Sequence, residues 1–260
     1  MEALIILSVV LFGSILTFFS GFGLGTLLLP AFGLFFPIEV AVFSTAIVHF
    51  FNSLFKVIFI YKKINYSLFF QFAATAIPFA ILGAWLLTNF NKHNFTIHLY
   101  FGFFSNDVTI LNLVIGIIMV VFALVELLFK QTKITVSKKT LILGGAVSGF
   151  FGGVSGHQGA FRSMFLSKAA ISKEEFVATS SSIGFLIDLT RISVYLSSIS
   201  LFIELDQSLK FILMISISVA FLGSYVGSKF LTKTTFKSLQ VLVAILLMII
   251  GFLLALGILN

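Results

Sequence analysis

Gly152-Gly153-Val154-Ser155-Gly156-His157-Gln158-Gly159 interrupts a long apolar stretch in the second half of the chain. Gly21-Phe22-Gly23-Leu24-Gly25 does the same near its start, and the chain resumes toward Pro30. Each interruption is followed by a short apolar arm and then by a long apolar helix with polar residues set into it. That helix carries Asn52 and Lys56 in the first half and Asp188 and Arg191 in the second. Duplicated glycine-broken segments in a membrane chain point to a transport site.

The chain is 59% hydrophobic and 10% charged, with a mean hydropathy of +1.18. A soluble domain needs far more polar surface than this. Apolar stretches of about 20 residues, enough to cross a bilayer, recur from end to end. The 35 Phe read as lipid-facing surface. The absence of cysteine excludes disulfides, thiol chemistry and thiolate metal sites. The net charge of +7 does not imply nucleic acid, because the lysines lie in short loops between apolar spans. Met1–Ser20 runs without a break into the first glycine cluster and starts with Glu2, unlike a cleaved signal peptide.

Spans are expected at 38–60, 66–90, 108–129, 175–198, 209–231 and 236–259, with no soluble domain between them. The glycine-broken regions 1–36 and 140–170 precede the first and fourth. Lys62 and Lys63; Lys130, Lys133, Lys138 and Lys139; Lys168 and Lys173; and Lys229, Lys233 and Lys237 form four basic loops. Basic loops face the cytoplasm. All four can do so only if each glycine-broken region starts and finishes on one side, as a re-entrant hairpin. The first hairpin then enters from outside and the second from inside. The arms Thr26–Phe36 and Ala160–Ala170 would rise only about 17 Å as helix, half a bilayer. The reading is an all-α polytopic membrane protein of two inverted repeats, each a hairpin plus three spans. Residues 1–129 form the first repeat, 130–139 a cytoplasmic linker and 140–260 the second.

Helix N-termini at the hairpin tips offer free N–H donors and partial positive charge, a ready anion site. Gly21, Gly23 and Gly25 in the first tip, and Ser155, Gly156, His157 and Gln158 in the second, are therefore candidate substrate contacts. Asp188 and Arg191 stand three apart on one helix face. Charges at mid-membrane belong in the protein interior. Arg191 is read as the anion's anchor and Asp188 as its orienting partner or a proton sensor; a structural ion pair is the alternative. His49, Asn52, Ser53 and Lys56 form one stripe on the first span. A shift of 136 residues places Asn52 on Asp188 and Thr45 on Ser181. Asn52 is thus a candidate contact and His49 a candidate proton relay, whereas Lys56 is read as snorkelling to the interface. Arg162 can reach the second tip or extend to the cytoplasmic face.

Gly21-Phe-Gly-Leu-Gly…Pro30, followed by Val40-Ala41, resembles the sulfite exporter TauE/SafE family of bacterial membrane transporters. The second half is the more specific match: Gly153-Val-Ser-Gly-His-Gln-Gly-Ala-Phe-Arg162, Phe176-Val-Ala-Thr179 and Asp188-Leu-Thr-Arg191. The family usually shows a denser glycine run where this chain has Leu24. The resemblance covers essentially the whole chain. It implies a multi-pass transporter of the inner (cytoplasmic) membrane that exports small sulfur-containing or organic anions such as sulfite or sulfonates.

Three other functions compete. An anion channel also uses basic residues and oriented half-helices. An intramembrane serine protease is suggested by Gly153-Val154-Ser155-Gly156, but no histidine follows His157, and His157 is expected to be poorly placed as a base. Metal transport is disfavoured by the donor set, and no lysine follows the first glycine motif as a nucleotide loop requires. A secondary carrier working by alternating access, without a cofactor and with protons as a candidate coupling ion, is the preferred reading. The chain is compatible with a homo-oligomer. The topology makes Lys173→Cys inert to an impermeant thiol reagent applied outside intact cells; labelling from outside would break the hairpin arrangement.

Overall fold

The computed structural model describes residues 1–20, 24–93, 95–101, 104–128, 137–166, 169, 171–198, 207–229 and 237–259. Gly21, Gly23, most of the linker and the loop lysines Lys130, Lys133, Lys168 and Lys233 lie outside them. Ten α-helices appear among the described residues. In chain order they are α1 (Glu2–Ser20), α2 (Leu24–Gly33), α3 (Ile38–Ile60), α4 (Tyr66–His93), α5 (Ile110–Leu128), α6 (Lys138–Ser155), α7 (Gln158–Leu166), α8 (Lys173–Ser198), α9 (Gln207–Lys229) and α10 (Lys237–Ala255). Three stretches, Ile38–Lys63, Tyr66–Phe90 and Gln207–Lys229, are long and apolar enough to cross a bilayer. Fewer helices meet that test than the six expected spans. The polar load of α8, which holds Lys173, Glu174, Glu175, Asp188 and Arg191, lowers its hydropathy. The apolar runs of α5 and α10, Ile110–Val125 and Val243–Ala255, are shorter.

The all-α expectation fails in one place. β1 (Thr96–Phe101) and β2 (Phe104–Thr109) pair antiparallel between α4 and α5. The alternation Ile97-His98-Leu99-Tyr100 has the period of a strand rather than a loop. Asn106 Nδ2 donates to the carbonyls of Leu256 and Gly257, both at 3.3 Å, which ties the β-hairpin to the end of α10. Consequently α5 begins at Ile110, two residues later than expected.

The second glycine break is a helical hairpin. Ser137 caps α6 through a reciprocal capping box with Thr140, and the helix ends on Gly156 at φ +81°, a left-handed position natural to glycine. α7 then returns along α6, with the Ser148 hydroxyl donating to the Gln158 carbonyl at 2.9 Å and Gly144 facing Phe165. Its arm of 9 residues rises about 14 Å, but α6 has 18 residues and rises about 27 Å. The tip therefore reaches past the middle of its neighbours. α2 likewise folds back on α1, where Gly13 faces Leu24 and Leu27.

Glycine-lined crossings hold the helices at backbone contact. Along α6, Gly145, Gly149 and Gly153 meet the carbonyls of Phe72, Ala76 and Ala80 in turn, so α6 and α4 run in the same direction. Gly83 of α4 sits on Phe150 O and Val154 N; Gly223 of α9 sits on Leu11 O and Ile15 N of α1. Gly116 of α5 and Gly251 of α10 each face the other's carbonyl. Packing also joins α3 to α8 and α9, and α4 to α8. Lys62, Lys63, Lys138, Lys139, Lys173 and Lys229 are exposed, and these helix directions gather them at one end of the bundle. The phenylalanines divide rather than all facing lipid. Phe12, Phe70, Phe211 and Phe252 are exposed, while Phe18, Phe32 and Phe72 are buried in the core.

A side chain at Gly149 would collide with the backbone of Ala76, which cannot move aside. Gly149→Val is expected to lower stability by about 1–3 kcal/mol through overpacking. Gly33→Ala, whose new methyl would meet only Ile38 at 3.9 Å, should be tolerated. Thermal unfolding in detergent compares the two, and equal midpoints would contradict the crossing.

Candidate functional site

Asp188, fully buried on α8, gathers side chains from three helices. Its Oδ2 lies 2.5 Å from His49 Nδ1 of α3. Its Oδ1 accepts from Gln158 Nε2 of α7 at 2.7 Å and from Arg191 Nε at 2.9 Å. An ionised carboxylate only accepts, so His49 Nδ1 carries the shared proton. Gln158 extends the chain: its Oε1 accepts from Arg162 Nη1 at 3.0 Å, and Arg162 Nε donates to Ser180 Oγ at 2.7 Å. Arg162–Gln158–Asp188 thus forms one line of bonds, branching at Asp188 to His49 and Arg191.

Two glycines make room for the two guanidiniums. A Cβ at Gly156 would stand 2.8 Å from Arg191 Nη1, and a Cβ at Gly184 would stand 2.8 Å from Arg162 Nη1. Gly156 also touches the first hairpin's arm, since a Cβ at Gly25 would stand 2.8 Å from its carbonyl oxygen and 3.7 Å from His49 Cδ2. The two arms therefore meet beside Arg191. Arg191 is wholly buried, and its Nη2 lies 2.8 Å from Asp188 Oδ1 as an ion pair. Neither Nη1 nor Nη2 has an aligned hydrogen-bond acceptor among the described residues. Tyr195, one turn further along α8, spends its hydroxyl on Gly153 O at 2.5 Å and braces the second tip.

The structure thus brings Arg191, Asp188, His49, Gln158, Gly156 and Gly25 together. The other described candidates lie elsewhere, and Gly21 and Gly23 are outside the described residues. Asn52 is buried but accepts from Ser224 Oγ of α9 at 2.7 Å. His157 turns toward α5, its ring 4.8 Å from that of Phe122. Ser155 Oγ donates to Phe151 O at 3.1 Å and lies 3.0 Å from His157 Nδ1. His157 is therefore within reach of Ser155. The pair is still unlike a nucleophile and its base, because the serine proton is already committed and Nδ1 must donate into the serine oxygen.

One basic side chain departs from expectation, and a second takes one of the two directions left open for it. Lys56 does not snorkel: it is buried, its Nζ donates to Thr17 O at 3.2 Å and it stands 5.6 Å from the centre of the Phe18 ring. Arg162 turns inward rather than to the cytoplasmic face. Ser180, Gly184 and Tyr195 join the site without having been expected there, although the spacing of Ser180, Gly184, Asp188, Arg191 and Tyr195 follows one helix face. No group of side chains able to hold a metal ion occurs among the described residues.

The family model for the sulfite exporter TauE/SafE matches residues 5–254. The chain belongs to this family. This TauE/SafE member thus belongs to a family of membrane transporters, which implies a lipid environment and a small-molecule substrate. No curated relative and no solved structure gives a match.

Removing one member of a buried ion pair strands the other at about 3–5 kcal/mol. Asp188→Asn is expected to destabilise by a few kcal/mol of that order. Adding Arg191→Gln should cost less than the sum of the single changes, because the stranded charge goes too. Additive losses in denaturant unfolding would show that the two groups do not interact.

Proposed function

We propose that this chain is a secondary carrier that exports small sulfur-containing or organic oxyanions across the bacterial inner membrane by alternating access, with the anion held at Arg191 between the two hairpin arms. One observation supports this most directly. A wholly buried guanidinium keeps Nη1 without an acceptor among the described residues beside Gly156, where the arms meet, while Nη2 has Asp188 Oδ1 at 2.8 Å as an ion pair. An unsatisfied buried charged donor is costly, and an oxyanion supplies the missing acceptor. The N-terminus of α7, starting at Gln158, adds backbone donors and partial positive charge at the same place.

The inverted-repeat reading is supported by packing that survives exchange of α1–α5 for α6–α10. α6 lies on α4 as α1 lies on α9, and α8 lies on α4 as α3 lies on α9, while the pairs α3–α8 and α5–α10 each map onto themselves. Gly83 and Gly223 occupy matching places in the first of these crossings. Rocking one set against the other would open the arm junction to each side in turn. His49 shares the Asp188 carboxylate, so a proton taken up there would weaken the hold of Asp188 on Arg191. That gives a route for proton coupling. A membrane potential negative inside favours anion exit by about 2.3 kcal/mol per charge per 100 mV.

Flux into or out of proteoliposomes, screened over sulfite, sulfoacetate, thiosulfate and simple carboxylates with and without a pH gradient, tests the proposal. Saturable flux that responds to the gradient is expected, falling by at least about tenfold in Arg191→Ala, since a charged hydrogen bond is worth about 1.5–3 kcal/mol. Normal anion flux through a folded Arg191→Ala protein would refute the anchor. Flux that never saturates would indicate a channel.

A further inference from the structure

We propose a second anion site, an antechamber held by Lys56 and Arg162 on the lysine-rich side of Asp188. It rests on the carrier reading and adds a station that the oxyanion occupies before reaching Arg191. A polar cavity of about 20 Å³, room for one water molecule, lies between α1, α3, α7 and α8, with Thr17 and Phe18 forming the α1 side. Lys56, Arg162, His49, Ser53, Ser180 and Ser181 line it. Two long basic side chains, an imidazole and three hydroxyls form a donor-rich wall.

Charge counting gives this wall its ligand. Among the described residues Asp188 is the one buried carboxylate, and its oxygens are already engaged by His49, Gln158 and Arg191. Lys56 and Arg162 have no carboxylate within ion-pair distance among the described residues. Lys56 rests on the carbonyl and hydroxyl of Thr17 and on an aromatic ring, and Arg162 on a serine and an amide. Neutral acceptors repay the desolvation of a cation poorly, so an anion is what would hold both side chains in their charged forms. The space as it stands holds one water, so a small dianion would enter as the flexible Lys56 and Arg162 side chains draw apart; it would supply both missing charges, and its oxygens would accept from Nζ, the guanidinium and the serine hydroxyls.

Position makes the space an antechamber rather than a duplicate of the Arg191 site. Lys56 stands one turn from the end of α3, near exposed Lys62 and Lys63. Phe176 and Val177, from the first turns of α8, complete the wall. Arg162 borders the cavity and is bonded through Gln158 to Asp188. An anion that draws Arg162 away would loosen the Gln158–Asp188 bond and free the inner site.

The chain has no native cysteine, so Ser181→Cys reports on the cavity alone. Membranes open to both faces are treated with an anionic sulfonatoethyl or a cationic trimethylammonioethyl methanethiosulfonate, each rate being normalised to that with a free thiol. The anionic reagent should react at least about tenfold faster, as a cationic cleft concentrates anions. Lys56→Met should bring the ratio near unity and Lys56→Arg should restore it. A ratio unmoved by Lys56→Met, a preference for the cation, or a thiol that neither reagent reaches would overturn the antechamber. Lys56→Met need not fold for this purpose, because the ratio in Ser181→Cys alone already excludes a cation-preferring space. The labelling ratio reads the antechamber independently of flux, whereas normal flux in Arg191→Ala removes the carrier reading itself.

Discussion

The Asp188 carboxylate is the constraint on which the centre of this bundle depends. A fully buried carboxylate is tolerable only if every lone pair is met, and here the donors come from α3, α7 and α8. His49 locks the first half of the chain to the second. Gln158 fixes the depth of the second hairpin, and Arg191 is held with Nη1 beside Gly156, where the arms meet. Without that carboxylate, three basic side chains would share one apolar interior with nothing to order them.

Bringing those groups together requires backbones to approach more closely than ordinary side chains allow. The crossings of α4 with α6, α1 with α9 and α5 with α10 are all made on glycine, where another residue's Cβ would strike a carbonyl. Apolar side chains find no hydrophobic drive to associate in lipid, so close van der Waals contact has to supply it. Small residues thus have two duties: most build the frame, while Gly156 and Gly184 leave space for guanidiniums. These duties look alike in a sequence, and only the atoms each glycine faces tell them apart.

Much of the architecture is legible in the order of residues. The stretch read as 38–60 has the bounds of helix α3, and helices α4, α8, α9 and α10 begin and end within a few residues of stretches read from the sequence, because long apolar runs between polar loops favour helix. The β-hairpin at 96–109 escapes a reading by span length, which passes over a short alternating segment between helices. In the site, Asp188, Arg191, His49 and Gln158 are legible because charge and amide groups inside apolar helices have few places to go. Lys56 and Arg162 are not, for a definite reason: a long side chain near a helix end can point either way, and the choice depends on what the neighbouring helices offer.

The sequence by itself determined a membrane protein, the positions of most of its helices, and which polar residues must face inward. Those properties follow from transfer energies and periodicity, which act residue by residue. Only the tertiary structure decided which inward residues share a site. It took Asn52 to Ser224 and His157 to Phe122, turned Lys56 and Arg162 onto a common cavity, and set Arg191 against Gly156. Partners across helices are chosen by crossing geometry, and that geometry is set by backbone contacts between segments far apart in the chain.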